Sequence, residues 1–321
     1  MPTNRKRPIF FLTILFFVVS IWFFSQGLGK RTDNSQKKNN TISNDIFDFK
    51  SDRKIFYALI EPNQTNLYRY TESVKETKRF YFDKDEEFKI IKALSMDNGN
   101  IIVFEGTTDE TKKRLVQITT DQKANKKIIN ENFYTYNLPV ISKNNKKIIY
   151  TSFSNVEKDY GFTIFSAELN GENKRQIYRT QNNIMSMGLS ADNTLVISEN
   201  SPSGGSMIKI YDFSQDKIEN FYETENNLVE IAWKNSEIIF LQKTKPNSNE
   251  NSPEMFSLDK NKNIKKISLK KTNLSNIFIN NDEIYYIDKT NSTDATLSGA
   301  IQSIQKPMDK IIIASYIFGV E

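Results

Sequence analysis

The sequence predicts an all-β chain of six similar units, and three observations carry that prediction. One apolar position recurs at a near-constant interval, each unit holds four short strand-like segments, and no amphipathic helix of useful length interrupts them. The recurring position is occupied by Ile55, Ile101, Ile148, Leu195, Ile238 and Ile284, at separations of 46, 47, 47, 43 and 46 residues by subtraction. A period of this size over six units indicates a repeat architecture in which each unit buries its faces against its neighbours. Four antiparallel strands repeated radially make a six-bladed β-propeller. A pair of β-sandwiches would give no reason for a constant period.

Each unit is a short apolar strand, a polar turn of Ser/Asn/Asp/Gly type, then an alternating strand ending in an aromatic. These segments are FKSDRKIFY from Phe49, LSMDNGNIIVF from Leu94, ISKNNKKIIY from Ile141, LSADNTLVIS from Leu189, AWKNSEIIF from Ala232 and FINNDEIYY from Phe278. Further strands follow. The third unit continues through KIIYTSF, FTIFSAEL and KRQIY, joined by the turn Asn170-Gly171-Glu172-Asn173. The fourth continues through MIKIYDF and KIENFY, and the fifth through EMFSLD and NIKKISL. With the strand before each turn, this makes four strands per blade. A ring must not leave an open sheet edge. Both IFDF (46–49) and YIFGV (316–320) resemble the first strand of a blade, so one of them is expected to complete the terminal blade at the other end of the chain.

The N-terminus reads differently. Arg5, Lys6 and Arg7 precede the uncharged run PIFFLTILFFVVSIWFF from Pro8 to Phe24. Extended to residue 26, the run suits one transmembrane helix, with Trp22, Phe23 and Phe24 at an interface. Small residues at Ser25, Gly27 and Gly29 could serve signal peptidase, whereas the long run with its aromatic end favours retention as an anchor. The tract GLGKRTDNSQKKNNTISN (27–44) is too polar to bury a core and reads as a tether. The expected organisation is a basic cytoplasmic segment at 1–7, a signal-anchor at 8–26, a linker at 27–44 and the propeller at 45–321. Long downstream domains translocate largely regardless of flanking charge, so the propeller is expected on the extracytoplasmic side.

Composition removes several kinds of chemistry. Among the 321 residues there is no cysteine and no histidine. Disulfides, thiolate nucleophiles, Cys-ligated metals, Ser-His-Asp catalysis and most zinc sites are therefore excluded. Lys and Arg number 44 against 39 Asp and Glu, for a net charge of +5, and both signs are scattered along the chain. Scattered charge is a solvated surface, so no nucleic-acid partner is expected.

The repeat resembles the TolB-type family of propeller repeats, whose unit is P-x-x-S-P-D-G-x-x-I-x-F-x-S followed by I-Y and a later Gly. The third unit is nearest, with Pro139, Ser142, Asn144, Asn145, Ile148, Tyr150 and Ser152, then Ile164, Phe165 and Gly171. The second has Ser95, Asp97, Gly99 and Ile101, and the fourth Ser190, Asp192 and Asn193; the fifth and sixth drift. The resemblance implies a propeller from about Asp45 to the C-terminus. It does not fix a function, because the family includes scaffolds, partner-binding proteins and domains that gate separate hydrolases. TolB proteins usually carry an α/β domain before the propeller, and the 27–44 tract leaves no room for one.

Individual motifs support structure more than chemistry. Ser95-x-Asp97-x-Gly99 is similar to the Asp-box of sialidases, itself a turn in which Asp caps its own backbone and Gly supplies positive φ. A sialidase also needs an arginine cluster, and Arg53, Arg69, Arg79, Arg114, Arg175 and Arg179 show no repeat-matched placement. The acids Asp83, Asp85, Glu86 and Glu87 share one loop and read as solvent-facing charge. Ser201–Ser206 reads as a flexible hairpin, 243–254 as a loop longer than a hairpin needs, and Trp233 as packing between blades. No catalytic, cofactor-binding or metal-binding residue is assigned, and no cofactor is expected. The sequence thus predicts a membrane-anchored, non-enzymatic scaffold with a protein or cell-envelope partner, contacting the membrane through residues 8–26. A carboxylate-dependent glycosidase or lyase is the alternative; acids converging on the channel mouth would favour it, and an apolar or mixed-charge rim would favour the scaffold.

Overall fold

The computed structural model describes residues 53–320 except 62–63, 83–86, 98–99, 108, 110–111, 121–124, 132–134, 136–138, 143–145, 191–193, 244–251, 270–272, 281–282, 290–297, 306–307 and 309–310. The expected N-terminal segments (1–7, 8–26 and 27–44) and IFDF lie outside the described residues. Among the described residues no helix is long and apolar enough to cross a membrane.

These residues form six four-stranded antiparallel sheets. The first blade holds β1 (Lys54–Glu61), β2 (Gln64–Thr71) and β3 (Glu76–Phe82). The second holds β4 (Phe88–Asp97), β5 (Asn100–Thr107), β6 (Lys113–Thr119) and β7 (Lys126–Asn130). The third holds β8 (Val140–Ile141), β9 (Lys147–Ser154), β10 (Gly161–Glu168) and β11 (Arg175–Thr180). The fourth holds β12 (Ile184–Leu189), β13 (Thr194–Asn200), β14 (Ser206–Asp212) and β15 (Lys217–Thr224). The fifth holds β16 (Asn227–Lys234), β17 (Glu237–Lys243), β18 (Glu254–Leu258) and β19 (Ile264–Ile267). The sixth holds β20 (Leu274–Asn280), β21 (Glu283–Asp288), β22 (Gly299–Ser303) and β23 (Ile313–Ala314). The last strand, β24 (Tyr316–Val320), returns to the first blade and pairs antiparallel with β1.

The core is a set of slabs between consecutive blades. Ile101 and Val103 of β5 face the first blade, among Phe56, Leu67 and Tyr81. Their neighbours Ile102 and Phe104 face the third blade, against Ile148 and Tyr150. The same division continues between blades three and four, four and five, five and six, and six and one. This explains why the second strand of each blade is a continuous apolar run rather than an alternating one: both of its faces are buried. The six repeat positions, Ile55 to Ile284, are all at most 2% exposed. Each contributes about 1.5–3 kcal/mol by burial.

Outermost strands follow the opposite rule. β7 begins with the exposed Lys126 and Lys127, β19 holds the exposed Lys265 and Lys266, and β3 opens with four exposed residues from Glu76 to Arg79. Lysines along an open edge discourage pairing with another chain.

Ring closure rests on a few polar contacts around β24. Ser315 N donates to the Ala58 carbonyl (2.8 Å), and Ile60 N donates to Ser315 Oγ (3.0 Å). From the second blade, Ala93 N donates to the Tyr316 hydroxyl at 2.8 Å. From the sixth, Asn276 Oδ1 accepts Ile317 N at 2.8 Å. A second clasp joins the same blades: buried Arg53 donates Nε and Nη2 to Glu72 (2.9 and 2.8 Å) and Nη1 to Glu283 (3.1 Å). Glu283 also accepts the hydroxyls of Tyr285 and Ser303.

Two outcomes follow from this packing. Tyr316→Phe strands the buried Ala93 N–H, so urea denaturation is expected to show a loss of about 1–3 kcal/mol. Burial pushes the phenols of Tyr57 and Tyr211 up to about 12, from 10.0 when unfolded. The unfolded chain therefore sheds these protons first, and their contribution is intact below pH 10 and lost as the pH climbs from about 10 to about 12. Alkaline melting followed by phenolate absorbance checks this: stability should fall across that window, and Tyr57→Phe should flatten the fall.

Candidate functional site

Antiparallel pairing decides which loops share a face. The innermost strands β4, β8, β12, β16, β20 and β24 begin at one end of the axis. The second strands end there and the third strands start there. The connections between second and third strands therefore leave and return at this end, and the two longest, 244–253 and 289–298, have ten residues each. On the opposite face the turns between innermost and second strands are short, as at Asn235-Ser236 between β16 and β17, whereas the link from β22 to β23 spans nine residues (304–312).

At the end where the innermost strands begin lies a cavity of about 470 Å³, lined from all six blades. Its lining follows one register. The residues opposite the third position after each repeat anchor are Tyr316, Lys92, Ser186, Glu230 and Ser275, and all five line the cavity. Pro139 and Val140 represent the third blade. Nearer the start of the strands the lining turns apolar, with Ile91, Met185 and Val229, joined by Ile60 at the end of β1.

β-Bulges produce this arrangement. Pairing jumps from Ile90 to Lys92 in β4, from Ile184 to Ser186 in β12 and from Leu228 to Glu230 in β16. The extra residues are Ile91, Met185 and Val229, the apolar residues that reach the cavity. In β20 the jump runs from Ser275 to Phe278, leaving Asn276 and Ile277 opposite the single residue Tyr286. A bulge re-aims side chains and releases backbone groups from the ladder. Side chains from the neighbouring blade take up two of these groups. Thr65 Oγ1 donates to the Ile90 carbonyl at 3.3 Å, and Leu228 N donates to Ser206 Oγ at 3.0 Å. Asn276 sits at φ 52°, a left-handed conformation that asparagine tolerates.

Glu230 takes up two more, at the bulge in β20. Its carboxylate accepts the backbone N–H of Ile277 and Asn276. Burial pushes it above the usual carboxylate range, while Lys92, these two N–H groups and Lys289 oppose the shift. Burial likewise pulls Lys92 below the usual lysine range, opposed by Glu230. Lys92 belongs to the second blade and Glu230 to the fifth, three places apart in a ring of six, so the two charges face each other across the axis. Both are half-buried by surface because they border the cavity, and otherwise the ring encloses them.

The motifs singled out in the sequence lie elsewhere. Ser95 and Asp97 end β4, and Gly99 and residues 83–86 of the acidic loop lie outside the described residues. The six arginines are dispersed, as expected. Arg114 Nε donates to the buried Glu105 at 2.7 Å, and Arg175 bonds Tyr211 and Asp216. Trp233 packs in the slab between blades four and five. The Ser201–Ser206 segment is a hairpin, as expected, but it is tied down rather than free. Ser201 and Ser203 hydroxyls both donate to Glu223 of β15. Gly205, at φ 80°, lies too close to the Thr224 carbonyl for any side chain. Lys92, Glu230 and Lys289 went unnoticed in the sequence. The available signal was a charge in the apolar strands FKIIKALS and LVEIAW, each nine or eight residues before its repeat anchor.

No family model and no curated protein sequence matches this chain. Solved structures do. TolB from Acinetobacter baumannii superposes with a TM-score of 0.58 at 12% identity, covering 83% of this chain and 66% of that one, just under two thirds. A structure from Agrobacterium tumefaciens described as TolB gives 0.56 at 10% identity, covering 82% and 87%. An oligogalacturonate lyase in complex with manganese gives 0.51 at 9% identity, covering 74% and 68%. The chain therefore carries a TolB-like six-bladed propeller, a fold shared by proteins of different activity.

Removing one partner across the axis should cost more than removing both. Glu230→Ala leaves Lys92 unpaired and two backbone donors unsatisfied, a loss of about 1–3 kcal/mol. Lys92→Met combined with Glu230→Gln keeps an acceptor and removes the charge, so most of the loss should be recovered. Urea denaturation of the two variants reads the difference.

Proposed function

We propose that this protein is a non-enzymatic binding scaffold, held at the outer face of a cytoplasmic membrane by residues 8–26 and a tether at 27–44. Its axial cavity and the long loops on the same face take a protein or envelope partner. The observation carrying this reading is the chemistry of the cavity wall: apolar residues and mixed charge, with Glu230 the one carboxylate among its described lining residues. Two carboxyl groups placed for acid and base work would be needed for glycoside cleavage. Among the described residues, no group of three or more acidic side chains is placed to hold a metal ion. Long loops on a rigid scaffold are where binding residues concentrate.

One observation favours a second reading, a carboxylate-dependent enzyme acting on an extracellular polymer. Lys92 and Glu230 are enclosed ionisable groups with shifted pKa values in a cavity, a pattern that also marks catalytic sites.

Crosslinking in intact cells, followed by purification of the full chain from detergent-solubilised membranes, separates the two. A specific crosslinked partner with no turnover in a glycan screen is the expected result; turnover without a partner would sink the scaffold. Protease added to spheroplasts should digest the chain beyond residue 44, and full protection would refute the orientation.

A further inference from the structure

Resting on the reading of the axial cavity as a binding site, its wall also indicates what kind of group enters. Two cations, Lys92 and Lys289, and one anion, Glu230, border the cavity, leaving one positive charge uncompensated among the described lining residues. Glu230 is already engaged by two backbone N–H groups and by both lysines. Toward the entrance the wall is aliphatic, and Ile60, Met185 and Val229 present apolar surface there, 37%, 42% and 38% exposed.

We infer that the cavity is a site for a single anionic group, carboxylate in its simplest form, carried on an apolar body. The anion lies against Lys92 and Lys289, and the body fills the aliphatic collar. A ligand of this kind neutralises the cavity and covers apolar side chains that otherwise face water. A volume of about 470 Å³ suits a small molecule or the end of a chain, at the scale of ordinary ligand sites. Burial of Lys92 works in the same direction. A second carboxylate near its ammonium offsets the desolvation that Glu230 only partly counters.

The test is calorimetric titration of the full chain in detergent with hexanoate, hexan-1-ol and hexylammonium. Hexanoate should bind about tenfold or more tightly than either analogue, the scale of one charge-assisted contact. Lys92→Met and Lys289→Met should each weaken hexanoate by about tenfold, whereas Glu230→Gln, which removes a repelling charge, should leave it unchanged or tighter. Thermal melting of each variant shows that the ring is intact. A leucine-terminated peptide with a free carboxylate, compared with its amide, distinguishes a peptide end from a free acid as the source. Preference for hexylammonium, equal binding of hexanol, or no response to any probe by a folded chain would overturn the inference. Those failures leave the scaffold reading standing if a partner is still captured, whereas glycan turnover without a partner strikes the scaffold reading alone.

Discussion

The structure depends on one constraint: a small four-stranded sheet that is apolar on both faces must be covered on both faces. A blade cannot bury Ile101 and Ile102 at once unless a neighbour lies on each side, and the neighbours have the same need. Only a closed ring satisfies all six. Closure therefore falls to β24, whose Tyr316 and Phe318 pack with the second blade's residues and whose Ile317 packs with the sixth blade's. Strand pairing alone would attach β24 to β1. The contacts of Asn276 and Tyr316 attach it to the flanking blades as well, so the first blade is fixed within the ring.

A second constraint acts at the axis. Six innermost strands converge on a narrow channel, and each is an edge with backbone groups pointing inward. Bulges relieve the crowding and send single residues into the channel, at the cost of backbone groups that lose their ladder partners. Neighbouring blades supply the replacements through Thr65, Ser206 and Glu230. Glu230 thereby acts on both the ring and the cavity. It steadies the bulge that presents Asn276 to the closing strand, and it sets the charge of the cavity with Lys92. Ring stability and cavity charge are coupled at this residue because both draw on the same carboxylate.

The two faces of the ring differ in what they can offer. One has the cavity and the two longest connections; the other has the short turns between innermost and second strands. Propellers of the same shape serve proteins with different activities, as the TolB and lyase structures illustrate. Shape therefore leaves function open, and the lining of this cavity is the part specific to this chain.

The sequence by itself determined the number of blades, their order and the identity of the buried second strands. Those features are local and repeated: an apolar run such as IIVF or LVIS and a turn before it can be read without knowing what lies across the ring. It also limited the chemistry, since a chain without histidine or cysteine lacks those nucleophiles, bases and ligands wherever it folds. Tertiary structure decided the rest. IFDF and YIFGV are equally plausible as strands, and only pairing with β1 selected the latter. Bulge positions carry no distinct residue type, as Ile91, Met185 and Val229 show. Lys92 and Glu230 are 138 residues apart by subtraction. They become partners because blades two and five face each other across the axis, a relation set by ring geometry and not by any spacing along the chain.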